Sequence, residues 1–180
     1  MKRTIVLVAV LAVFCASALS QEKEKKPVTL RGILLEQLKT THKTQDWFVP
    51  PSLAVAGLTA EQASWKDNSG NHSIGQLANH LVFWNTESLY KLKGQEPPKF
   101  SGDNNETFNN FDAKSWATTV AQLDKVMTDI EQFVETCDEA TLEKNASRIA
   151  HIGTHNAYHT GQIIYIRREK GWWNESKGVK

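Results

Sequence analysis

Cysteine is almost missing from this 180-residue chain, with two residues in all, Cys15 and Cys137. If Cys15 leaves with the N-terminal segment described below, Cys137 stays alone, so an internal disulfide is excluded and the core must hold the domain. No motif surrounds Cys137, which reads as a passive half-buried residue rather than a nucleophile. A basic run is missing too: 21 Lys and Arg stand against 20 Asp and Glu, for a net charge of +1. That balance argues against nucleic acid as the partner. After residue 20 no stretch is apolar enough to cross a bilayer, which takes about 20 residues, so no stable membrane anchor is expected. Strand-like alternation is scarce, and neither repeats nor low-complexity segments occur.

The N-terminus has the grammar of a signal peptide. Lys2 and Arg3 precede the apolar run Ile5 to Val13, and Ala18-Leu19-Ser20 places small residues three and one positions before a cut. Cleavage after Ser20 gives a single domain from 21 to 180, exported to the periplasm or the medium. Loss of Lys2 and Arg3 lowers Lys plus Arg from 21 to 19 against 20 acids, a balance of −1. The alternative, a lipoprotein site at Cys15, is disfavoured by the bulky Phe14 before it.

Helical spacing marks four long segments. The first, 28–45, carries Leu30, Ile33, Leu34 and Leu38 and stops before Pro50-Pro51, which cannot continue it. Thr59 and Gln62 then form a capping box opening a short turn. The second long helix opens at Ser73, boxed with Gln76, and ends near Lys93-Gly94. A polar connection, QEPPKFSGDNNETFNNF, leads to the third helix at 113–136, whose stripe is Trp116, Val120, Leu123, Val126, Met127, Ile130 and Phe133. Its length suits a crossover or a functional loop. The fourth runs from Leu142 to Lys170, followed by Gly171 and the pair Trp172-Trp173, expected to cap the bundle end. An all-α four-helix bundle with a long connection between helices 2 and 3 follows.

HNAYHTGQ, residues 155–162, sets His155 and His159 one helical turn apart, with Cβ atoms about 6 Å from each other. Two imidazoles so placed can share an ion, as in zinc helices of the HExxH type, but the glutamate of that motif is missing here. His151 extends the row, yet its ends are about 12 Å apart along the axis, too far for one ion. A third ligand must come from another helix, and His80 shares the core face of the second helix with Gln76, Leu77, Phe83 and Trp84. Any one of these histidines could be a hydrogen-bonded core residue; three on two inward faces favour a metal. Three imidazoles also leave ion positions open, as in a reactive site.

Two stretches, NHSIGQLANHLVFW and HNAYHTGQIIYIRREKG, resemble the DinB-like (damage-inducible) superfamily, also described as YfiT-like metal-dependent hydrolases. The resemblance spans nearly all of 28–175. It implies a bundle in up-down-down-up order, often dimeric, with one divalent ion (Zn, Ni, Fe or Mn) on His80, His155 and His159. His151 is not implied, and Thr160 stands where the family often has arginine. The activity implied is hydrolysis of a small molecule through metal-bound water of lowered pKa. Transfer of a low-molecular-weight thiol, or non-catalytic metal binding, are the alternatives. Glu87, two turns beyond His80, is the candidate general base, against a surface-pointing role. Gln162 could orient a substrate or a ligand, or make a core hydrogen bond, and Tyr158 is expected to line the bundle. The small face of Ala150, Gly153, Ala157 and Thr160 is expected to pack within the bundle rather than on a second subunit.

Overall fold

Side-chain caps decide where most of the helices begin. In the computed structural model, which describes residues 28–178, helix α1 (Leu30–Thr40) is capped by Thr29, whose hydroxyl accepts from the Gly32 N–H. Both expected capping boxes are present. Thr59 and Gln62 open α3 (Ala60–Ser64), and Ser73 and Gln76 open α4 (Ile74–Leu92). The last helix, α7 (Glu139–Glu169), begins three residues earlier than its apolar pattern suggests, because Asp138 caps it by accepting from the Thr141 N–H. The long α6 spans Trp116–Thr136. The expected signal peptide, 1–20, lies outside the described residues.

Further expectations change. The first helix ends at Thr40, not near residue 45: the Thr41 N–H closes on the Gln37 carbonyl, and the Thr40 and Thr41 hydroxyls bond back to carbonyls of the last turn. Pro51, which ends nothing by then, instead starts the short α2 (Pro51–Val55), where a proline at the first position lacks only an N–H the helix does not use. On α1 the core side is Leu34 and Leu38, while Leu30 and Ile33 are 40% and 44% exposed.

Among the described residues all regular structure is helical. Four helices form the bundle: α4 packs on α6 and α7, and α1 packs on the same two from the other side. Arg31, at the start of α1, donates to the Val134 and Cys137 carbonyls at the end of α6 and pairs with Glu139 at the start of α7 (2.6 Å). Hence α1 runs parallel to α7 and antiparallel to α6. Ser88 shares a surface with Ser147, and His80 meets His155, so α4 runs antiparallel to α7. The order is up-down-down-up, and because α4 and α6 are parallel the chain must return along the bundle between them.

That return is not a bare loop. It contains α5 (Glu106–Asn109), and it buries Thr107 and Phe108 against α4. Phe111, just after it, lies over Gly75, where an added Cβ atom would overlap the tip of the phenyl ring at its Cζ. At the far end Arg167, 6% exposed, donates to the Ala54, Ala56 and Trp172 carbonyls and lies 5.1 Å from the Trp173 ring, so the tryptophan tail caps the bundle end as expected. Gly153 of the small face packs on Gln37 and Thr41 of α1, within the bundle. His42 is 1% exposed and bonded by one ring nitrogen to Glu131 (2.6 Å) and by the other to Asp124 (3.1 Å), tying the end of α1 to α6. A Gly75→Ala substitution is expected to dislodge Phe111 and cost about 1–3 kcal/mol by overpacking. Chemical denaturation checks this, and a midpoint equal to that of the unsubstituted protein would refute it.

Candidate metal centre

His80 sits at the middle of α4, 3% exposed, and His155 and His159 sit one turn apart on α7 with His159 6% exposed and His155 half-buried. The antiparallel packing of α4 on α7 brings one nitrogen from each imidazole into a group whose members all lie within 4.8 Å of one another. The Nε2 atoms of His80 and His155 are 3.1 Å apart. Nitrogens about 2.0–2.1 Å from a tetrahedral ion are themselves roughly 3.4 Å apart, so this spacing suits a shared ion with little adjustment.

Two of the three rings have their other nitrogen engaged. His80 Nδ1 is 2.6 Å from the Thr107 hydroxyl, and that hydroxyl donates its own proton to the Asn104 carbonyl (2.7 Å). Thr107 can therefore only accept, so His80 carries its proton on Nδ1 and leaves the Nε2 lone pair free. His159 repeats the pattern with the Gln162 carboxamide oxygen, 2.6 Å from its Nδ1. Such outer partners choose the tautomer and the ring orientation that a metal needs. With His80 Nε2 an acceptor, the 3.1 Å contact is His155 donating to it.

Burial keeps all three rings neutral. It pulls the His80 imidazole from its ordinary 6.5 down to about 3, helped by the nearby His159, His155 and His72. His155 falls to about 4, by burial first and His159 second, and His159 is also lowered by burial. Neutral imidazoles are the metal-binding form.

Aromatic packing holds His80 in place. Phe108 stacks on its ring at 3.9 Å between centroids, and His72 stacks on the opposite face of Phe108 at 3.8 Å. Thr107, Phe108 and His72 were not singled out in the sequence; apolar phenylalanines within the asparagine-rich run were the signal available for the first two. Of the other expected residues, Gln162 orients His159 from an exposed position, and His151 is exposed. Tyr158 does not line the bundle: it is 64% exposed, because its position on α7 places it at the rim beside His159. Glu87 pairs with Lys91 one turn along α4 and lines neither cavity that flanks the histidines. One of these cavities, of about 600 Å³, includes His155 in its wall; the other, of about 430 Å³, includes His72 and Gln162.

The family model of the DinB superfamily matches residues 52–163, more than half of the chain and a span containing all three histidines, Thr107 and Gln162. The chain belongs to the DinB superfamily. Comparison with curated proteins and with solved structures finds no match.

The depressed histidines set the acid limit of the metal-free protein. Their pKa values lie below the unfolded value of about 6.5, so the unfolded chain binds more protons between the two. The stability they contribute is complete above about pH 6.5 and is lost as the pH falls toward 4 and then 3. Thermal unfolding from pH 8 to pH 4 is expected to show this fall, and a His80→Asn variant to show a shallower one. Equal slopes for the two proteins would refute the assignment.

Proposed function

We propose that the protein is a metal-dependent hydrolase of a small-molecule substrate, with one divalent ion held by Nε2 of His80, His155 and His159, the ring proton of His155 passing to its own Nδ1 when the ion binds. The observation that carries the reading is the group of three neutral imidazoles, two of them with Nδ1 anchored, beside a cavity of substrate size. When bound, the ion supplies Lewis acidity, which polarises a carbonyl or phosphoryl group and lowers the pKa of water. The protein residues do the rest. Thr107 and Gln162 hold the rings in register, Phe108 keeps water from the buried side of His80, and the opening past His155 admits substrate. Three protein ligands leave coordination positions for reactants, which favours a reactive centre over a sealed structural one. An export signal in residues 1–20 would put the activity where low-molecular-weight thiols are scarce, which supports hydrolysis over thiol transfer.

Elemental analysis of untreated protein is expected to find about one equivalent of a transition metal per chain, as a three-imidazole site implies. The His155→Ala, His159→Ala double variant is expected to retain none; equal metal in both proteins would sink the proposal. Hydrolysis of chromogenic esters, amides and phosphodiesters by the loaded protein should stop with a chelator and return with added ion. Replacing Thr107 by valine removes the acceptor for His80 Nδ1 while keeping the shape. It is expected to weaken metal binding about 10- to 100-fold in a competition against a chromogenic chelator, with the helical content unchanged.

A further inference from the structure

The larger cavity beside the histidines has an uneven charge. From its outer end to His155, one face of α7 presents Lys144, Arg148 and His151, all exposed, and no aspartate or glutamate lines the wall. Among the described residues neither Lys144 nor Arg148 has a carboxylate partner. The opposite wall is neutral and firm: Ser88 of α4, and Trp84, whose indole N–H is held by Asn104 (3.1 Å). A volume of about 600 Å³ suits a small metabolite rather than a macromolecule.

The geometry points to an anion-binding subsite at Lys144 and Arg148, which selects small molecules carrying a carboxylate or phosphate group remote from the bond that reacts. Arg148 and His155 are seven residues apart on one helix, about 10 Å along its axis. A ligand whose anionic end rests on the Arg148 guanidinium fork therefore places atoms roughly 10 Å away beside His155. His151, between them, donates to the middle of the same ligand. The part of this inference that places the reacting end rests on the metal-centre reading; the anion site rests on Lys144 and Arg148 alone.

Amide and side-chain shifts of the full chain, followed by NMR during titration with inorganic phosphate, glutarate or the neutral diamide of glutaric acid, test it. Phosphate and glutarate are expected to move signals of Lys144, Arg148, His151 and Ser88, and the diamide is expected to move none of them. Tighter binding of phosphate than glutarate identifies a phosphate-ended ligand; the reverse order identifies a carboxylate. In a Lys144→Gln, Arg148→Gln variant, whose changes are both on the surface, the preferred anion is expected to bind at least about tenfold more weakly with metal content unchanged. Unchanged anion affinity in that variant, equal binding of the diamide, or shifts confined to other parts of the chain would overturn the inference. Separately, metal retained by the His155→Ala, His159→Ala variant alongside intact phosphate binding would remove the metal centre and leave the anion site standing.

Discussion

One hydrogen bond, from His80 Nδ1 to the Thr107 hydroxyl, joins the bundle to the segment that crosses it. It settles which nitrogen of His80 is free, and it works because Thr107 has already spent its own proton on Asn104. The same residue is held from the helix side as well, since the Asn79 carboxamide donates to the Thr107 carbonyl at 2.7 Å. Phe108 then covers His80, and Phe111 covers Gly75. The crossing segment is thereby a wall of the site rather than a tether, and it lies where the parallel arrangement of α4 and α6 obliges the chain to pass.

The centre is poised by burial rather than by charge. Among the described residues no carboxylate, the usual means of raising the basicity of a ligating histidine, bonds to these three rings; a threonine hydroxyl and a glutamine carboxamide hold two of them. Neutral partners hold the rings without adding negative charge, so a bound divalent ion keeps its full Lewis acidity. Where the fold does use carboxylates against a histidine, at His42 between Glu131 and Asp124, the purpose is to fasten two helices together.

Much of this could be read in the sequence. Capping boxes at Thr59 and Ser73 located two helix starts, and the spacing of His155 and His159 demanded a partner that the core face of α4 supplied. What could not be read has a physical reason in each case. Asp138 extends α7 toward its start because caps reach beyond the apolar stripe, and Thr40 ends α1 because its hydroxyl competes for the backbone. Thr107 and His72 are local in sequence to nothing they support. Their contacts to His80 and Phe108 depend on how the crossing segment settles on the bundle, which periodicity does not encode. Tyr158 shares the general side of α7 with the histidines, but a turn of one residue is enough to carry a side chain from the interior to the rim.

His80 and His155 stand 75 positions apart in the chain, with all of α5 and α6 between them. Closing so long a loop is a non-local event, reached only after the intervening helices have found their places. The three nitrogens can therefore converge only in a chain that is almost completely folded. Partly folded chains offer at most the His155–His159 pair, a weaker chelate, so under the proposed function ion capture would double as a checkpoint on folding: it would favour finished molecules and pull the last step of assembly toward completion.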